Sequence, residues 1–127
     1  MKEYLFAYGL LKKEYASNPK YKVPKMAVKY IGEGFITGHL YMVAHYPGFI
    51  FNSNAETTII GDVYEVENTE LLYEMDQYEC ALPLYNGPHE YIRRKRAVSI
   101  NHSILDCWVY EYDLPTEELT IIKSGKF

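Results

Sequence analysis

Tyrosine occurs 14 times in 127 residues. It favours strands and half-buried positions, where the ring packs and the hydroxyl finds a partner. Many short tyrosine-rich strands predict a curved sheet or a small barrel. The opening residues set the pattern. In Glu3 to Tyr8, strand geometry places Tyr4, Phe6 and Tyr8 on one face and Leu5 and Ala7 on the other. With both faces apolar, this segment is expected to be a central strand, ending at Gly9.

Lys12 to Pro24 is polar and carries Asn18-Pro19 and Pro24, which predicts a loop, with or without a turn of helix. Tyr30 to Gly34 and Gly38 to Val43 are expected as two strands, or as one bent strand broken by glycine. His45-Tyr46-Pro47-Gly48 has the composition of a turn. Ile59 to Val66 is a further strand, with Asp62 and Glu65 on opposite faces. Asn68 to Tyr78 is the helix candidate, with Asn68 or Thr69 as cap and Leu71, Leu72, Met75 and Tyr78 as the apolar stripe. Cys80 to Glu90 is a loop. Tyr91 to Ile100 and Leu105 to Tyr112 form a hairpin around Asn101-His102-Ser103. The segment from Pro115 is polar with one short apolar patch. The order of elements is not the alternation of a doubly wound sheet. It predicts a single α+β domain over residues 1–127, dominated by a mixed sheet curled toward a barrel.

Apolar residues at 48% and charged residues at 24% suit a packed core. A net charge of -4 gives no whole-molecule reason to expect nucleic acid or an anionic membrane as partner. No apolar run approaches the ~18 residues of a membrane span, and the start of the chain lacks the features of a secretory signal. Cys80 and Cys107 make no disulfide framework and lack zinc-site spacing. The expectation is a reduced, cytoplasmic, metal-free protein, a monomer or weak homodimer.

Two stretches carry chemistry. Tyr8-Gly9-Leu10-Leu11 leaves the first strand with a glycine whose backbone a ligand can approach. Successive N–H groups there can cradle an anion. An ordinary strand-to-loop turn accounts for the same residues. In Asp76-Gln77-Tyr78-Glu79, Glu79 falls on the helix's apolar stripe if the helix extends so far. Burial there would raise its pKa and prepare it as a base, whereas a frayed helix end would leave it solvated. His39, His45, His89 and His102 are scattered. Cys80, beside Glu79, has no histidine in a recognised pattern to activate it. Arg93-Arg94-Lys95-Arg96 alternates across a strand, as a solvated edge strand would, although Arg93 or Arg94 can also reach a substrate carboxylate. Tyr91 and Tyr110 can donate hydrogen bonds in the same region or simply pack in the core.

Taken in order, several segments resemble the gamma-glutamylcyclotransferase-like family, which includes gamma-glutamylamine cyclotransferases and plant avirulence-induced-like proteins. They are Tyr4 to Leu11, Gly38-His39-Leu40-Tyr41 with Tyr46-Pro47-Gly48, Gly61 to Val66, Leu72 to Glu79, Tyr91-Ile92-Arg93, Cys107-Trp108-Val109-Tyr110 and Ser124-Gly125. The resemblance implies a small mixed barrel with flanking helices and no cofactor. It implies Glu79 as the acid/base residue and Tyr8, Gly9, Leu10 and Leu11 as the loop that binds the γ-glutamyl group. Two positions depart from the family pattern, Leu10 in place of threonine and Cys80 in place of glycine. The implied reaction closes a γ-glutamyl amine or γ-glutamyl amino acid into 5-oxoproline and releases the amine. The competing readings are a non-catalytic binding module of the same fold and, from the basic strand, an RNA-binding barrel.

Overall fold

The computed structural model describes residues 2–9, 28–44, 46–67, 70, 72 and 91–127. Seven strands lie among them: β1 (Glu3–Ala7), β2 (Val28–Met42), β3 (Pro47–Phe51), β4 (Thr58–Val66), β5 (Tyr91–Ile100), β6 (Ser103–Tyr112) and β7 (Thr120–Ile121). The antiparallel pairings β1–β4, β4–β2, β2–β5 and β5–β6 are closed by a parallel pairing of β6 with β1, at Leu5 and Trp108. The result is a closed, mixed, five-strand barrel. β3 pairs β2 from Gly38 to Met42 and meets β6 in parallel where Phe49 faces Glu111.

β1 is the central strand its two apolar faces predict. Phe6 and Tyr8 enter the barrel core with Ile36, Leu40, Phe49, Ile59, Val63, Val98, Ile100, Cys107 and Val109. Leu5 and Ala7 enter a second cluster on the other face, with Tyr64, Val66, Leu72, Tyr91 and Tyr110. Alternation along the strand therefore gives each face of the barrel wall its own apolar layer.

The expected bent strand is one continuous β2. Its pairing with β4 runs unbroken from Gly32 to Thr37, across the expected break, and the register shifts only between Tyr30 and Gly32. The turn expected at His45 to Gly48 lies earlier. The Val43 and Ala44 N–H groups donate to the Tyr46 carbonyl, and Pro47 already begins β3. A strand's first residue is a position where a proline's missing N–H costs no ladder bond. The hairpin turn is tighter than expected, because Ser103 belongs to β6. Asn101 and His102 both have positive φ, 45° and 65°, as a two-residue turn matched to the strand twist requires. Of the expected helix, Glu70 and Leu72 are helical. The rest of Asn68–Tyr78 falls outside the described residues apart from these two, as do the loops expected at 12–24 and 80–90. Among the described residues no helix is long and apolar enough to cross a membrane.

Close approach of the strands leaves no room for a side chain at Gly61. A Cβ there would lie 2.5 Å from the Ala7 carbonyl oxygen and 2.7 Å from Phe6 Cζ. Gly61→Ala is expected to force β4 away from β1 and cost about 1–3 kcal/mol. A lowered urea midpoint with an unchanged slope would register it.

Burial, with a smaller contribution from Asp106, pushes the Cys107 thiol from 9.0 up to about 12. The folded chain thus holds this group neutral where the unfolded chain would ionise it. The associated stability is complete below pH 9 and is lost as pH rises from 9 toward 12. Unfolding free energy should fall across that window, and fall less steeply in Cys107→Ala, when both are followed by urea titration at successive pH values.

Candidate active site

Tyr8 is the last core residue of the first strand's inner face, and its hydroxyl is held from two sides. It donates to the Tyr110 backbone carbonyl and accepts from the Phe49 N–H at 3.1 Å. Its ring lies against Phe6 and Phe49, with centroids 6.5 and 5.5 Å away. A tyrosine needs such partners when its polar tip is buried. The effect is to fix the backbone at the point where the chain leaves the barrel.

Gly9 follows immediately and lies against Pro47. A Cβ on Gly9 would sit 2.9 Å from Pro47 Cγ and 3.0 Å from Cδ. Absence of a side chain is therefore required by packing as well as useful for exposing backbone. The Pro47 carbonyl in turn accepts a hydrogen bond from the Tyr91 hydroxyl at 2.7 Å. Tyr91 packs near Tyr46 and Tyr112, at 6.4 and 5.6 Å between centroids.

Tyr110 works in two directions. Its carbonyl takes the Tyr8 hydroxyl, and its own hydroxyl, on the outer face, donates to the Leu72 carbonyl at 3.4 Å. The loop after β1 and the helical stretch containing Leu72 are thus tied to one residue of β6. Of the residues expected to form the site, Tyr8, Gly9, Tyr91 and Tyr110 gather at this end of the barrel. Tyr8 points inward, while Tyr91 and Tyr110 belong to the outer layer. Leu10, Leu11, Glu79 and Cys80 lie outside the described residues.

The basic run is more than a solvated edge. Arg96 grips the Glu111 carboxylate through two contacts, Nε–Oε2 at 2.7 Å and Nη2–Oε1 at 3.1 Å, and Arg94 Nη1 adds one at 3.4 Å. The Glu111 side chain is only 5% exposed. On the other face, Arg93 stacks 4.3 Å from the Trp108 ring centroid, and Lys95 pairs with Glu3 at 3.0 Å. The expected alternation holds, but each face has a partner. Neither arginine named as a substrate contact stands idle, since Arg93 lies over Trp108 and Arg94 faces Glu111.

Pro47, Glu111 and Arg96 were not expected as site-supporting residues. Glu111 had a signal in the sequence. In Cys107-Trp108-Val109-Tyr110-Glu111, the alternation that turns Cys107 and Val109 inward also turns Glu111 inward, and a carboxylate on a core face demands a partner. Asp62 is similarly placed on the outer face, 9% exposed and in register with Ala7. Together with burial, its charge holds the Tyr64 hydroxyl above the usual tyrosine range.

Residues 5–127 match the family model described as gamma-glutamyl cyclotransferase, AIG2-like. The chain belongs to this family. It is 35% identical over 98 residues to the gamma-glutamylcyclotransferase family protein ytfP of Citrobacter rodentium, covering 76% of this chain and 74% of that one. Its fold resembles that of an AIG2-like protein from Mus musculus, with a TM-score of 0.75 at 19% identity over 99% of this chain and 88% of that one. It also resembles YkqA from Bacillus subtilis, with a TM-score of 0.71 at 24% identity. All of this chain is covered there but 40% of that longer one.

Tyr8→Phe keeps the ring and deletes both hydroxyl contacts. It strands the Phe49 N–H in the core, which costs about 1–3 kcal/mol. Thermal and urea unfolding should show that loss with a native-like far-ultraviolet spectrum.

Proposed function

We propose that this family member is a cyclotransferase, converting a γ-glutamyl amine or γ-glutamyl amino acid into 5-oxoproline and a free amine, with Glu79 as its acid/base group. The supporting observation is the double role of Tyr110. Tyr8, which opens the first stretch that carries chemistry in the sequence, and Leu72, on the expected helix that leads to the second at Asp76–Glu79, both bond to it, one through the Tyr8 hydroxyl and the other through the Leu72 carbonyl.

The α-ammonium of the γ-glutamyl group gives a proton to the Glu79 carboxylate and becomes a nucleophile. Its nitrogen bonds to the γ-carbonyl carbon, closing a five-membered lactam. The bond from that carbon to the leaving nitrogen breaks as the protonated Glu79 returns its proton there, and the ring nitrogen gives up its second proton through the same carboxylate to the released amine, which departs as an ammonium. Because both reacting groups belong to one molecule, holding the chain folded supplies much of the acceleration. In this reading, backbone N–H groups from Gly9 to Leu11 anchor the substrate carboxylate. In the same reading, the seat of Gly9 against Pro47 holds the start of that cradle in place.

A non-catalytic binding module is the second reading, favoured specifically by Leu10 and Cys80, where the family pattern has threonine and glycine. Leu10 removes a hydroxyl, and Cys80 changes the residue that follows the base. The cradle and the carboxylate themselves do not depend on either.

Purified protein supplied with a panel of γ-glutamyl amines and amino acids should release 5-oxoproline. Glu79→Gln should lower that rate by ~10²–10⁴-fold while leaving the melting temperature close to wild type. Full activity in the variant would reject Glu79 as the base. Ligand binding with no turnover by the wild type would favour the module.

A further inference from the structure

The bidentate pair inside the barrel wall has a consequence for the loop that the proposed function uses. Arg96 touches three strands at once. It is carried by β5, it grips Glu111 on β6, and its guanidinium carbon stands 4.1 Å from the ring centroid of Phe51 on β3. β3 is only five residues long, and its register with β6 is a single pairing, Phe49 with Glu111. All five of its residues pair β2, which sets its register, so the β6 side leaves open only how closely β3 approaches β6. Arg96 fixes that approach, gripping the Glu111 carboxylate while its guanidinium carbon stands over the Phe51 ring.

β3 also carries what supports the loop after β1. Pro47 is the surface against which Gly9 sits, its carbonyl takes the Tyr91 hydroxyl, and the Phe49 N–H donates to the Tyr8 hydroxyl. A shift of β3 by a fraction of an ångström therefore moves all three supports together. Buried ion pairs contribute little net stability, because desolvation offsets much of their attraction. A planar bidentate contact does fix direction and distance.

We infer that Arg96 and Glu111 are a positioning pair for substrate binding, acting through β3 on the Tyr8–Gly9 loop. The inference rests on the cyclotransferase reading and assigns the pair no part in proton transfer. Removing the pair loosens the carboxylate anchor and leaves the acid/base step to Glu79, so its effect falls on KM more than on kcat.

The test compares Arg96→Met, which keeps an apolar stem and loses the charge, with Arg96→Lys, which restores the charge but only as a point contact. Activity is read as 5-oxoproline released from the best wild-type substrate, at a temperature well below each variant's melting point. Arg96→Met should raise KM about tenfold with kcat within about threefold of wild type, and Arg96→Lys should recover part of the loss. A lowered melting temperature with unchanged KM and kcat would make the pair purely structural and overturn the inference. So would a loss confined to kcat. If Arg96→Met fails to fold, Arg96→Lys and Phe51→Leu decide. A raised KM in either supports the positioning role, and wild-type KM in both rejects it. A wild type inactive on every γ-glutamyl compound refutes the cyclotransferase reading itself and takes the inference with it, an outcome distinct from an active wild type with an insensitive Arg96.

Discussion

The parallel pairing of β1 with β6 is the constraint on which the rest of this structure depends. Every other ring pairing joins antiparallel neighbours, and a sheet built from those alone would stay open with exposed edges. Bringing Leu5 beside Trp108 closes it. Closure carries an entropic cost, since about a hundred residues must be looped to bring these strands together. Two apolar layers repay it, because β1 faces the barrel core on one side and the outer cluster on the other. The proposed site begins at the end of this strand as a direct result. The loop that leaves β1 emerges beside the C-terminal half of β6, and Tyr110 of β6 can then receive the Tyr8 hydroxyl.

Much of this was legible in residue order. The two-faced apolar pattern of Tyr4 to Tyr8 specified a central strand, and the Tyr91–Tyr112 alternation around Asn101 specified a hairpin. Both are local signals of period two, which a sequence displays directly. Pro47 was harder. Proline beside glycine reads as a turn from composition, and only the chain's return by way of Tyr46 shows that the turn is already complete when Pro47 begins a strand. The basic run was half legible. Alternation correctly separated Arg93 and Lys95 from Arg94 and Arg96, but which face met a buried carboxylate depended on the register with β6. Register between strands is set by packing and turn length together.

The site divides in the same way. Tyr8 and Gly9 announce themselves because a tyrosine ending a core strand needs a hydroxyl partner and a glycine at a strand exit needs a reason. Their partners do not. The Phe49 N–H, the Tyr110 carbonyl and the Pro47 carbonyl are backbone groups, which every residue possesses and which no side-chain pattern marks. A reading confined to side chains thus finds the residues that require support and misses those that give it.

That asymmetry bears on how a small barrel can hold a precise site. A 127-residue chain has a limited core, and polar side chains devoted to scaffolding would take apolar volume from it. Here the scaffold around Tyr8 is largely main chain, whose hydrogen-bonding capacity must be satisfied in any case. Tyrosine is well suited to exploit this, since its ring contributes to the core while its hydroxyl reaches a strand's backbone. Tyr8, Tyr91 and Tyr110 each do so, bonding the carbonyls of Tyr110, Pro47 and Leu72 in turn. Three side chains thereby connect the end of β1, the start of β3, the C-terminal half of β6 and the helical stretch at Leu72. These connections account for three of the 14 tyrosines in physical terms. A phenylalanine at any of the three positions would fill the same space but would lose the hydroxyl's link to a second element.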